Sequence, residues 1–174
     1  MECKSIAGQT KKIFAYIDGT NLHLSAENMG WHLDYRRFRK LLKDKYAVTK
    51  AYYFLGYVAK YKNLYTGLQE DGYEVVNIEP TILPNGTIKG NCDADLVFKA
   101  MFDFYETGYD KAIIVASDGD YKSLVEHLKA RGKLGRVIAC SWGGCANKLK
   151  KAAGTLIDFL DNFRDKVEYK QSGI

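Results

Sequence analysis

Proline is nearly absent from this chain, with two among 174 residues, Pro80 and Pro84. That excludes proline-rich linkers and collagen-like repeats. No apolar run approaches the roughly 18 residues that a membrane-spanning helix needs. The stretch Met1-Glu2-Cys3-Lys4-Ser5 lacks the apolar block of a secretory signal, so a cytoplasmic location is expected. Cysteine is sparse, and Cys3, Cys92, Cys140 and Cys145 match no paired-ligand zinc spacing, so they read as reduced thiols. The three histidines, His23, His32 and His127, are scattered, with no nucleophile or ligand at motif spacing. No Gly-x-x-x-x-Gly-Lys-Ser/Thr loop and no Gly-x-Gly-x-x-Gly fingerprint occurs, so Trp142-Gly143-Gly144 reads as a strand-exit loop. Internal repeats and low-complexity tracts are missing too.

What is present is the composition of a folded domain. Hydrophobic residues make up 47% and charged residues 27%. The length suits one domain over residues 1–174. Lysine and arginine exceed aspartate and glutamate by 26 − 21 = 5. An excess that small fits a polyanionic partner and many ordinary proteins equally well.

Several apolar runs are continuous rather than alternating, as in strands covered by helices on both faces. They are Ile13 to Ile17, Ala51 to Leu55, Ala112 to Ala116 and Val137 to Cys140, with Tyr73 to Ile78 a weaker fifth. Helical periods lie between them: Leu33, Phe38, Leu41 and Leu42; then Val97, Ala100, Met101 and Phe104; then Leu124, Val125 and Leu128; and last Leu149, Ala152, Ala153 and Leu156. Strands alternating with helices predict an α/β domain with a mostly parallel sheet, which places ligands at the carboxyl ends of its strands. The segment Thr81 to Asn91, with Pro84-Asn85-Gly86 as a turn, reads as a loop or hairpin over one edge.

Two strands end alike. Ile17-Asp18-Gly19-Thr20-Asn21 and Ala116-Ser117-Asp118-Gly119-Asp120 both stop an apolar run at an acid followed by glycine. In a parallel sheet these ends converge, so Asp18, Asp118 and Asp120 are expected on one edge. Asn91-Cys92-Asp93-Ala94-Asp95 opens a helix with two further carboxylates. Four or five acids at one place repel unless protons or a hard cation hold them, and Mg²⁺ suits one or two carboxylates plus water or phosphate oxygens. In outline this is a phosphodiester-cleaving arrangement. The plainer reading of each acid is a turn or helix cap.

Tyr16-Ile17-Asp18-Gly19-Thr20-Asn21-Leu22, Lys89-Gly90-Asn91-Cys92-Asp93-Ala94-Asp95-Leu96 and Ser117-Asp118-Gly119-Asp120-Tyr121, in this order, resemble the NYN domain family, LabA-like branch, of the PIN-like nucleases. The resemblance spans about Ile13 to Phe163. It implies a three-layer PIN-like, Rossmann-like α/β/α fold and a metal-dependent ribonuclease using Mg²⁺ or Mn²⁺. By position it makes Asp18, Asp93, Asp118 and Asp120 the catalytic and metal-binding acids, with Asn21, Ser117 and Asp95 in support. Cys92 departs from the family's usual apolar β-branched residue and is expected to pack.

Other readings stay open. Asp18-Gly19-Thr20 is also similar to the Asp-x-Asp-Gly-Thr motif of haloacid-dehalogenase phosphatases, but the position of their nucleophile is Tyr16 here. A non-catalytic RNA-binding or regulatory module of the same fold would carry the same acids. Arg36, Lys40 and Lys43 share one helical face, which suits a solvated surface or a track for the RNA backbone, and Lys89 is counted with them as an RNA contact. Tyr57, Tyr61 and Trp142 offer stacking platforms for unpaired bases. A homodimer completing the groove is left open beside a monomer.

Overall fold

The computed structural model describes residues 10–56, 62–78, 81–82, 88–89 and 92–170. Strand β1 (Ile13–Asp18) leads through helices α1 (Gly19–Asn28) and α2 (Tyr35–Tyr46) to β2 (Lys50–Gly56). Helix α3 (Lys62–Glu70) then leads to β3 (Glu74–Ile78), followed by the short strands β4 (Thr81–Ile82) and β5 (Ile88–Lys89). The rest alternates: α4 (Asp93–Glu106), β6 (Lys111–Val115), α5 (Lys122–Ala130), β7 (Leu134–Ala139), α6 (Asn147–Ala153), β8 (Ile157–Phe159) and α7 (Arg164–Val167).

Six strands form one all-parallel sheet in the order β3-β2-β1-β6-β7-β8. Its strands bury both of their faces, which is why their sequences run apolar without alternation. Phe14, Tyr16, Phe54, Ile114 and Val137 point to the side covered by α4, α5 and α6, where Leu96, Val125 and Leu149 meet them. Their chain neighbours Ala15, Ile17, Tyr53, Leu55 and Val115 point to the other side, against Leu22 of α1, Phe38 of α2, Leu68 of α3 and Val167 of α7. Full burial of one such aliphatic side chain contributes about 1.5–3 kcal/mol, so the two half-cores together fix the three layers.

All five expected strands are present. Leu33 falls outside its expected helix: Asp34 caps α2 by accepting from the Arg37 N–H at 2.9 Å, and Leu33 bridges antiparallel to Glu168 just before that cap. Leu156 lies beyond α6, which Gly154 ends at φ +64°. Helix α1 buries only Gly19, Leu22 and Ala26, and β8 has three half-buried residues, too little pattern for either to be read from sequence. The Thr81 to Asn91 segment holds an antiparallel pairing of β4 with β5, Thr81 opposite Lys89 and Ile82 opposite Ile88. Its Pro84-Asn85-Gly86 turn lies outside the described residues, as do Tyr57, Tyr61 and Cys3. Cys92, Cys140 and Cys145 are free thiols. Among the described residues no helix is long and apolar enough to cross a membrane.

Candidate active site at the carboxyl edge of the sheet

The chain leaves β1 toward β2 on one side, and β6 pairs with β1 on the other, so strand order reverses between β1 and β6. Doubly wound sheets bind ligands outside the carboxyl ends of strands at such a reversal. Ile17 is level with Val115, so Asp18 and the Ser117-Asp118 pair emerge side by side there.

Both Asp-Gly steps are turns with a steric reason for the glycine. Asp18 caps α1, its Oδ1 accepting from the Asn21 N–H at 2.9 Å. Asp118 does the same for the 3₁₀ turn Gly119–Tyr121, accepting from the Asp120 N–H at 2.9 Å. A Cβ on Gly19 would stand 2.1 Å from the Tyr53 ring and 2.7 Å from the Phe54 carbonyl oxygen, and one on Gly119 would meet the Lys148 stem. The two turns are tied together. Asn21 Oδ1 accepts from the Ser117 N–H at 2.9 Å, Ser117 Oγ accepts from the Cys140 N–H at 3.2 Å, and the Ser117 carbonyl accepts from the Ala146 N–H at 2.9 Å. Asn21 and Ser117 thus hold the ends of β1, β6 and β7 in fixed relation.

The third motif joins through Tyr121, a residue to which sequence reasoning gave no role. Its hydroxyl lies 3.0 Å from Asp18 Oδ2 and 2.6 Å from Asp93 Oδ1. Its ring is fully buried, and Asp18 is only 4% exposed. A hydroxyl has one proton and donates to one carboxylate at a time. Burial pushes the Asp18 carboxyl above the ordinary carboxylate range, and the Asp93 charge adds to the shift; the Asn21 N–H and the Tyr121 hydroxyl partly oppose it. Cys92 Sγ also donates to Asp18 Oδ1 at 3.7 Å, and burial pushes its thiol up to about 12, which keeps it protonated. The departure at Cys92 is therefore a packed thiol that helps hold Asp18.

Asp118 is exposed and lines a cleft of about 440 Å³ together with Asn21 and Ser117. The opposite wall is the loop Gly143 to Asn147 and Lys150, so the strand-exit loop after β7 borders the site. Asp120 turns outward: its side chain is 65% exposed and pairs with Lys148 Nζ at 2.9 Å. Asp95 is exposed in the first turn of α4, where it complements the helix dipole. The structure therefore joins Asp18 to Asp93, puts Asp118 in the adjoining cleft, and turns Asp120 toward a lysine. Among the described residues no group of three or more His, Cys, Asp or Glu is close enough to hold a metal ion.

The basic stripe lies elsewhere. Helix α2 starts with the Tyr35 ring against Tyr53, near the carboxyl edge, and returns the chain to the start of β2 at the opposite edge. Arg36 is thus nearest the acids, and Lys43 lies about 10 Å further along the helix axis. Lys40 pairs with Asp44, and both border a shallow hollow of about 400 Å³ with Arg36 and Lys43. Lys89 belongs to β5, and its side chain lies outside the described residues. The cation that reaches the cleft is Lys150. Lys150 belongs to the second basic group of the sequence, Lys148, Lys150 and Lys151; for Tyr121, the signal that could have found it was a polar-tipped aromatic three residues after Asp118.

The comparisons agree with this geometry. Residues 12–161 match the NYN domain. The low amplitude and bright protein LabA of Synechococcus elongatus is 26% identical over 175 residues, covering 94% of this chain and 92% of that protein. A crystal structure of a protein of unknown function from Vibrio parahaemolyticus superposes with a TM-score of 0.76 at 20% identity, covering 97% of this chain and all of that one. That last likeness shows a shared fold.

Proposed function

The chain belongs to the NYN domain family, and from that membership and the acid pair at the switch point of its sheet we propose that it is a ribonuclease working with Mg²⁺ or Mn²⁺. The single observation that carries the reading is the Asp18 and Asp93 carboxylates brought to one hydroxyl, next to a cleft holding Asp118. The donor types suit a hard divalent cation, and the acids would have to draw closer than they stand here to share one. Asp18, Asp93 and Asp118 offer only carboxylate oxygens, and Mg²⁺ takes few of these while keeping positions for water or phosphate. Asp120 would join from the rim after parting from Lys148, with Asp95 in outer support. When bound, the cation supplies a water of lowered pKa and offsets charge growing on the phosphate.

The chain's own groups do the rest. Asn21 and Ser117 keep Asp18 and Asp118 at fixed separation through the backbone bonds between their turns. Tyr121 bridges the acid pair in the absence of metal. Lys150 neutralises phosphate charge in the cleft, and Arg36, Lys40, Lys43 and Lys89 follow the RNA backbone further out. The free thiols of Cys92, Cys140 and Cys145 suit a reducing cytoplasm.

A pool of mixed-sequence single-stranded RNA, incubated with Mg²⁺ or Mn²⁺ and with chelator, tests this. Cleavage should need metal and disappear in Asp93→Asn and Asp118→Asn. Equal cleavage by those variants would mark a contaminating nuclease. A second reading, a non-catalytic RNA-binding module, is favoured by the way Tyr121 satisfies the acid pair without a cation. RNA binding by wild type without cleavage at any metal concentration would establish it. Size in solution, measured with and without RNA, decides between monomer and homodimer.

A further inference from the structure

Trp142 is a large exposed side chain beside the cleft, with 64% of its surface open. Its ring is fixed by the edge of Phe159, centroids 5.4 Å apart. Lys150 packs on it: Nζ donates to the Trp142 carbonyl at 2.9 Å and lies over the ring, 4.4 Å from its centroid. Lys148 and Lys40 are each paired with an aspartate, but among the described residues Lys150 forms no ion pair with a carboxylate. It is an uncompensated cation on the wall of the cleft that contains Asp118. The next residue, Gly143, lines the same cleft, and a Cβ there would meet nothing within 4 Å. An exposed aromatic ring, an ammonium with no carboxylate partner and open cleft at Gly143 beside them are the parts of a nucleotide subsite.

We infer that Trp142 and Lys150 bind one unpaired nucleotide beside Asp118, the base stacking on the indole and the adjoining phosphate resting on Lys150. The inference rests on the reading that RNA is the ligand, and it makes the bound strand single-stranded at that position, because a base inside a duplex has both faces covered by its stacked neighbours. It also gives Trp142 and Lys150 the task of placing the backbone across the cleft. The other exposed aromatic row, Phe98, Phe102 and Tyr105 on α4, carries Asp95 and Glu106 on the same helix and suits a polyanion poorly.

Binding is measured in chelator, so that cleavage plays no part. The chain has two tryptophans, and Trp31 is buried at 3% exposure, so quenching by a ligand reports on Trp142. A fluorescein-labelled ten-nucleotide oligouridylate and a duplex of equal length are titrated by anisotropy, with tryptophan emission followed in parallel. The single strand should quench wild-type emission and bind more tightly than the duplex. Trp142→Ala should weaken binding about tenfold. Trp142→Phe should keep most of the affinity while losing the quench. Gly143→Val, whose side chain would project into open cleft, should weaken binding with the indole intact, and Phe98→Ala should bind like wild type. The inference is overturned if the labelled strand fails to bind, if it binds without quenching, or if Trp142→Ala or Gly143→Val matches wild type. Equal affinity for the duplex, or an equal loss in Phe98→Ala, also overturns it. Cleavage that survives such an outcome would leave the ribonuclease standing; quenching without cleavage under any metal would leave only the subsite.

Discussion

Replacing Tyr121 with Phe removes one oxygen from the centre of the site and leaves the fully buried ring in place, so the effect on packing is small. The lost hydroxyl sits 3.0 Å from Asp18 and 2.6 Å from Asp93. A hydrogen bond to a charged partner contributes about 1.5–3 kcal/mol. For a domain of this length each kcal/mol moves the melting temperature by about 2–4 °C, so the metal-free variant should melt about 3–12 °C below wild type. Metal changes the comparison. A cation bound by the folded state alone stabilises it by about 2.7 kcal/mol at a hundredfold excess over its Kd. In the variant the same ion also relieves the repulsion that the hydroxyl had been bridging. The rise in Tm on adding Mg²⁺ or Mn²⁺ should therefore be larger in Tyr121→Phe than in wild type, and the gap should narrow. Thermal melts by circular dichroism, with chelator and with metal, give the four temperatures. If the variant melts with wild type in chelator, or if metal raises both by the same amount, Tyr121 does not bridge the acids and the reasoning fails.

Asp120→Asn should change Tm in chelator by no more than about 2 °C, because its pairing with Lys148 is exposed and solvent screens it. Gly19→Ala should lower stability by about 1–3 kcal/mol in a denaturant melt, since the added methyl would collide with the Tyr53 ring and the Phe54 carbonyl; an unchanged midpoint would mean that the Asp18 turn yields easily. Burial pushes the Cys140 thiol up to about 11 from the ordinary 9.0, so at pH 8 it carries about a hundredfold less thiolate than an exposed cysteine. Mass-resolved alkylation of the native protein should leave Cys140 unmodified at pH 8 and label it rapidly in denaturant; fast native labelling at pH 8 would contradict the burial.

Five strands and the central helices were legible because a parallel sheet buried on both faces writes itself as unbroken apolar runs, Ile13 to Ile17 and Ala112 to Ala116 being the plainest. The acids at the ends of those runs were legible for the same reason, since each is the first carboxylate after an unbroken apolar run, although Asp18 is itself buried. Helix α1 and strand β8 were not, because too few of their residues face the core to leave a period. Leu33 was assigned to a helix that Asp34 starts only after it; a hydrophobic period cannot tell a residue packed beside a helix from one within it.

The residue types at the edge are set by the sequence alone: carboxylates after two strands and at the head of α4, with a lysine-rich segment following a glycine loop. Their division of labour is a matter of tertiary structure. Asp18 and Asp93 are 75 residues apart in chain order, and only the packing of α4 beside the 3₁₀ turn after β6 sets the Tyr121 hydroxyl between them. Asp120 lies two residues from Asp118 yet faces the other way, because a tight turn rotates successive side chains apart and Lys148, stretched over Gly119, receives it. Spacing along the chain fixes which groups can emerge at an edge; whether two of them share a proton, line a cleft or turn to solvent depends on distances of a few ångströms that only the folded backbone supplies.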